Sequence, residues 1–196
     1  MEHKYGFYRI DNEYLKFLNS KDTEVFYKNE TGYDKKPHLG IITQINDMEY
    51  CIPLTSAKPK HLNWANMSNH NLIIFEIVKR SDLQPNDVYK QIDSLDQYKR
   101  IIAVLEIKKM IPVNRDLYTY INFDHIQDLQ YRNLLEKEYL FLKPYKDKII
   151  EKALQLYNKQ MQTNRIQMYG CDFKVCECAY QEYLLNTRCE STTEDS

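Results

Sequence analysis

Two hydrophobic periods divide this chain, and their order constrains its fold more than any other feature. Up to Val113 the apolar residues fall in short β-branched runs, and from Ile126 onward they recur near 3.6-residue spacing. His38 to Ile45 and Met48 to Leu54 flank Asn46-Asp47, a two-residue turn that tolerates positive φ, so the spacing predicts an antiparallel hairpin. Leu72 to Val78 and Ile101 to Ile107 read as buried strands, and Ile111-Pro112-Val113 as an edge piece, because proline cannot donate to a ladder. Ahead of them, Tyr5 to Ile10 reads as a short strand, followed by a helix capped at Asp11 or Asn12 with Tyr14, Leu15 and Leu18 on its apolar stripe. Ser20 to Lys36 reads as a loop, and Asp82 to Tyr98 carries apolar positions too sparse for more than a helical turn. Past Ile126, the residues Leu129, Leu134, Leu142, Ile149, Ala153 and Leu156 predict two helices separated at Pro144. Cys176, Tyr180 and Leu184, four apart, predict a last helix over Phe173 to Leu185, with a frayed end from Glu190. Strands first and helices after, without an internal repeat, predict an α+β domain on an antiparallel sheet.

The 196 residues suit one domain with a short appendage, and 43% hydrophobic against 28% charged residues suffices for a core. Four glycines in all, and no Walker loop or dinucleotide fingerprint, speak against a glycine-cradled nucleotide site. The longest apolar runs, such as Leu72 to Phe75 and Ile101 to Leu105, fall far short of the roughly 18 residues that span a bilayer. Met1-Glu2-His3-Lys4-Tyr5 lacks the sections of a secretory leader, so a cytoplasmic protein is expected. Four of the five cysteines crowd into the last 26 residues, a distribution of thiols rather than of a disulfide scaffold. Residues 170–196 hold two basic and six acidic groups, a net of −4, which leaves about +3 on the remainder. That excess permits a polyanionic partner without requiring one.

The densest chemical cluster is Thr55-Ser56-Ala57-Lys58-Pro59-Lys60-His61: two hydroxyls, two ammonium groups and an imidazole in seven positions. The inventory suits a phosphate, with hydroxyls for nonbridging oxygens, cations for growing charge and an imidazole near neutral pH. A solvated turn collects the same residue types. Lys35-Lys36-Pro37-His38 adds positive charge just before the hairpin, or forms a plain surface loop. Cys171, Cys176, Cys178 and Cys189 lack the paired spacing of a zinc knuckle. Trp64 and the 17 tyrosines offer stacking surfaces for bases, though most must serve the core and its rim.

Phe7-Tyr8, Tyr14-Leu15, Lys36-Pro37-His38-Leu39-Gly40-Ile41 and above all Tyr50-Cys51-Ile52-Pro53-Leu54-Thr55-Ser56-Ala57-Lys58 resemble the endoribonuclease toxins of type III toxin-antitoxin systems, the ToxN/AbiQ family. The last run is similar to that family's Tyr-x-x-Pro-Leu-Thr-Ser-x-Lys signature. Ile73 to Ile77, Ala103 to Pro112 and Leu134 to Tyr157 extend the likeness over about residues 5 to 160. The resemblance implies a strongly twisted antiparallel sheet, a partly open barrel similar to Kid and MazF, with surrounding helices. It implies a metal-independent endoribonuclease without cofactor, acting on cellular and phage RNA in abortive infection. It also implies inhibition by a repeat RNA pseudoknot that the toxin processes and binds in a closed protein-RNA ring. Carried over by motif, the catalytic residues would be Tyr14, Lys36, Thr55, Ser56 and Lys58, and His61 matches a family position too; the basic and aromatic groups around them, Lys35, His38, Lys60, His61 and Trp64, are the expected RNA contacts.

In metal-free cleavage the 2′-hydroxyl attacks the adjacent phosphorus, giving a 2′,3′-cyclic phosphate and a 5′-hydroxyl. Lys36 and Lys58 would stabilise the phosphorane, Thr55 and Ser56 would donate to phosphoryl oxygens, and Tyr14 would position the scissile nucleotide. The resemblance names no general base. Residues 1–169 are expected to form the toxin domain and 170–196 an acidic, Cys-rich tail that packs on the domain, contacts a partner or frays. Truncation after Tyr169 is accordingly expected to spare cleavage. Two competing readings are a noncatalytic RNA-binding module on the same fold and a zinc-stabilised interaction domain organised by the tail.

Overall fold

The computed structural model describes residues 5–27, 39–92 and 96–193. Along the chain run β1 (Tyr8–Ile10), α1 (Asn12–Lys21), β2 (Leu39–Ile45), β3 (Met48–Ser56), β4 (Leu72–Lys79), β5 (Val88–Gln91), β6 (Gln97–Leu105), β7 (Ile111–Val113) and β8 (Tyr118–Tyr120). The helices α2 (Leu129–Leu142), α3 (Lys146–Thr163) and α4 (Phe173–Thr193) follow. Every ladder is antiparallel, in the order β4-β6-β3-β2-β1-β8, with β5 on β6 and β7 on β3. The sheet is open: among the described residues no ladder joins β4 to β8.

Local chemistry accounts for most of these elements. Asn46 takes φ 54° in the β2–β3 turn, the left-handed conformation that Asn adopts most readily among residues with a Cβ. Asp11 accepts the Tyr14 N–H at 2.8 Å and caps α1, whose Tyr14, Leu15 and Leu18 are buried. A 3-10 turn over Lys143–Tyr145, with Pro144 inside it, separates α2 from α3 as the sequence predicts. Gly40 faces Pro53 across the ladder, where a Cβ would strike the Cys51 sulfur and the Ile52 carbonyl.

Two strands escape the sequence reading. β5 is largely exposed and lies where only a helical turn was expected; the 3-10 turn nearby, over Arg80–Asp82, ends where that stretch begins. β8 is three residues long and mostly exposed. Both are held by backbone ladders rather than by an apolar face, so periodicity does not report them. The strand expected over Ile101 to Ile107 instead spans Gln97–Leu105 and gives way to a 3-10 turn over Ile107–Lys109.

That break shapes the molecule. One edge of β3 pairs first with β7, at Glu49 to Cys51, and then with β6, at Leu54 to Ser56. The turn bridges the two, and the Glu106 N–H donates to the Pro53 carbonyl at 2.9 Å. Ile74, Ala103 and Leu105 point into the main core, whereas Ile73, Ile101 and Val104 form a second cluster on the opposite face, covered by Ala57, Leu62 and Trp64. The segment after β3 is therefore pinned to the back of the sheet.

The residues that follow 169 pack on the rest of the domain. Cys171, Phe173, Cys176, Ala179 and Tyr180 are buried in the main core, and α4 lies against α1 and β7. Because Phe173, Cys176, Ala179 and Tyr180 recur three and four residues apart on one helical face, α4 is a wall of the domain.

Candidate active site

The end of β3 and the turn behind it bring Thr55, Ser56, Lys58, Lys60, His61 and Trp64 together. Ser56, Lys58 and Lys60 are exposed; among the described residues neither lysine has a carboxylate partner. Pro59 opens a 3-10 turn, Pro59–Asn63, that folds His61 beneath the loop at 1% exposure. The Lys58 backbone N–H donates to His61 Nδ1 at 3.0 Å, which assigns the ring proton to Nε2. Nε2 is buried without a hydrogen-bond partner among the described residues. Burial holds the His61 imidazole below its ordinary range, Glu106 pulls the other way, and Lys60 and Lys58 add to the lowering. His61 is therefore a neutral strut under the loop and not a surface contact to RNA.

Thr55 also departs from expectation. Its hydroxyl donates to Glu106 Oε1 at 3.1 Å, so its single hydrogen is not available to a phosphoryl oxygen. Ser56 remains as the exposed hydroxyl donor. Glu106, only 7% exposed, is a functional candidate that motif reading missed, because it enters the site through the break between β6 and β7, 51 residues from Thr55.

The same break delivers Lys108. Its ammonium lies 5.7 Å from the Trp64 ring centre and 5.7 Å from that of Tyr169, and donates to the Met168 carbonyl at 3.1 Å. Lys60 lies 5.5 Å from the same Trp64 ring. Burial lowers the Lys108 pKa, opposed by Glu106, with Lys109 and Lys60 lowering it further. His70, whose carbonyl accepts the Lys108 N–H at 3.1 Å, is likewise lowered, by burial and then by Lys108 and Lys159. Trp64 and the exposed Tyr169 thus flank a group of lysines, an arrangement that offers flat faces to bases and cations to phosphates.

Tyr14 does not reach this surface. It is fully buried, its hydroxyl donates to the Pro112 carbonyl at 2.6 Å, and burial pushes its ionisation well above the usual tyrosine range. Pro112 pairs with Tyr50, six residues and about 20 Å along β3 from Ser56. Tyr14 satisfies an acceptor on the free edge of β7 and cannot hold a nucleotide. Lys35, Lys36 and His38 lie outside the described residues, as does the side chain of Cys189. Of the other tail cysteines, Cys171 and Cys176 converge on Asp22 while Cys178 is exposed elsewhere on α4, so these three do not form one zinc site.

A family model described as "Toxin ToxN, type III toxin-antitoxin system" matches residues 6–181. A protein named Endoribonuclease ToxN from Bacillus thuringiensis subsp. kurstaki is 29% identical over 186 residues, covering 90% of this chain and 83% of that one. Its namesake from Pectobacterium atrosepticum is 26% identical over 179 residues, covering 90% and 92%. Among solved structures, a type III toxin selectively inhibited by a non-coding RNA pseudoknot superposes with TM-score 0.67 at 25% identity over 92% of this chain and 98% of that one. AbiQ, a lactococcal anti-phage endoribonuclease, does so with TM-score 0.63 over 92% and 98%; at 19% identity it speaks to the fold alone.

Proposed function

The chain belongs to the ToxN family of type III toxin-antitoxin toxins, and from that premise we propose that it is an endoribonuclease that cuts cellular and phage RNA without a metal. The observation that carries this reading is the exposed Ser56–Lys58 pair at the end of β3, beside Lys60, Trp64 and Lys108. A metal-dependent nuclease gathers several side-chain ligands around its ions. Here Glu106 is the carboxylate beside Thr55, and cations supply the rest.

The steps follow from that inventory. Ser56 donates to a nonbridging phosphoryl oxygen, and Lys58, with Lys36, neutralises the charge that grows on the phosphorane. Trp64 and Tyr169 stack flanking bases, fixing the attacking 2′-oxygen in line with the phosphorus. Cleavage leaves a 2′,3′-cyclic phosphate and a 5′-hydroxyl. The relatives' inhibition by an RNA pseudoknot carries over to this chain as a repeat-derived antitoxin RNA, which it processes from a precursor and holds in a closed protein-RNA ring. Among the described residues no helix is long and apolar enough to cross a membrane, and the proposed place of action is the cytoplasm.

The test is cleavage of a mixed RNA pool in EDTA by the antitoxin-free protein, beside Ser56→Ala and Lys58→Ala variants of verified fold, with product ends mapped. Cyclic-phosphate ends that vanish in both variants are expected. RNA bound but left intact by the wild type would refute the enzyme and leave a binding module on this fold.

A further inference from the structure

A buried carboxylate among lysines that are to receive phosphate needs a reason, since its own charge repels the ligand. Glu106 is that carboxylate. The Thr55 hydroxyl is the one side-chain hydrogen bond it receives among the described residues. Around it stand Lys108 on its own turn, with Lys109 and Glu24 beyond, and His61 from the turn after β3, with Lys58 and Lys60 flanking. Among these groups, the lysines and His61 have no basic oxygen. Thr55 and Glu106 share the face of the sheet that carries Val104, opposite the main core, so the hydroxyl stands between the carboxylate and the loop of Ser56 and Lys58.

A hydroxyl that gives its hydrogen to a carboxylate turns its lone pairs outward and becomes an acceptor. We propose that Thr55 receives the hydrogen of the substrate's 2′-hydroxyl and that Glu106, acting through Thr55 as a positioning residue, is the final acceptor of that proton. The inference rests on the endoribonuclease reading and supplies the base it lacks. As the 2′-O–H bond breaks, its proton passes to Thr55 Oγ1 and the Thr55 proton passes to Glu106. The freed electron pair forms the O2′–P bond, the P–O5′ bond breaks, and O5′ takes a proton from Lys58. Glu106 carries carboxylate oxygens that accept, and Lys58 carries N–H donors and no acceptor, so Glu106 suits the accepting role and Lys58 the donating one. The assignment also limits what the site can cut: a 2′-deoxynucleotide offers no hydrogen to Thr55 and no nucleophile.

Single-turnover cleavage in EDTA of an RNA that the wild type cuts, from about pH 5 to about pH 9, tests the relay on the full chain. Glu106→Gln keeps an acceptor oxygen for Thr55 but removes the base. Its expected result is a rate loss of roughly 100-fold or more across that range. Affinity for the same RNA with a 2′-deoxy nucleotide at the cut position is expected to be no weaker than that of the wild type. Thr55→Val, which keeps the shape and removes the hydroxyl, is expected to lose as much, and the double variant no more than either single. Glu106→Gln cutting within about threefold of wild type on an unchanged pH profile would overturn the proposal and leave Glu106 a structural partner of Thr55. An active Thr55→Val would overturn the relay. A wild type that cuts no RNA would refute the proposed function before the relay is reached.

Discussion

Removing α4 is expected to unfold the protein. Phe173 is fully buried, its ring centre 6.1 Å from Tyr157 and 6.3 Å from Tyr50, and its N–H donates to the buried Gln160 side chain at 2.6 Å. Glu177 accepts the Tyr157 hydroxyl at 2.9 Å and also the Tyr50 hydroxyl. Phe173→Ala alone deletes a ring from this packing, a cost of about 3–5 kcal/mol. At this chain length that lowers Tm by roughly 6 to 20 °C. Truncation after Tyr169 removes Cys171, Cys176, Ala179 and Tyr180 as well, and uncovers Tyr14, which packs on Tyr180 and Tyr183. It also strips partners from the Gln160 amide and the Tyr50 hydroxyl, about 1–3 kcal/mol each. Together these losses reach the about 5–15 kcal/mol that holds a domain of ordinary size. Circular dichroism melting of the full chain, Phe173→Ala and the truncation should show an ordered decline, with no cooperative transition in the last. A truncated chain melting cooperatively within about 5 °C of full length would refute the assignment of α4 to the core.

His61 ties stability to pH. Its folded-state pKa is depressed by burial, so below about pH 6.5 the unfolded chain binds a proton that the folded chain refuses, and stability falls. His61→Gln is expected to be less stable at neutral pH and to flatten the loss of Tm on acidification, with His70, shifted in the same direction, retaining part of the slope. An unchanged slope would show that His61 is not held neutral. On the RNA side, Lys108→Gln is expected to weaken binding of uncut RNA and to reduce the salt slope by about one unit, while Trp64→Ala loses about 1–3 kcal/mol with little change in slope. A filter-binding salt titration separates the two; equal slopes for wild type and Lys108→Gln would remove Lys108 from the phosphate contacts.

Much of this molecule is legible residue by residue. The Asn46-Asp47 hairpin, the Asp11 cap, the break at Pro144 and the last helix with Cys176 and Tyr180 inward all follow from local chemistry. The strands that escaped, β5 and β8, are exposed edges without an apolar period. The site divides in the same way. Thr55, Ser56, Lys58 and Lys60 are contiguous and visible as a cluster, whereas Glu106, Lys108 and Tyr169 carry no local mark of their role.

Sequence by itself therefore determined the alternation of elements and the phosphate-suited run from Thr55 to His61, because both depend on neighbours a few residues apart. Tertiary structure alone decided which of those groups can act. The interruption between β6 and β7 sets Glu106 against Thr55 and Lys108 over Trp64. The same packing turns Tyr14 into an edge cap, His61 into a buried strut and the acidic tail into a wall of the core. The physical reason is that one hydroxyl hydrogen or one lone pair has a single best use, and which partner claims it depends on chains that meet only when the sheet closes over them.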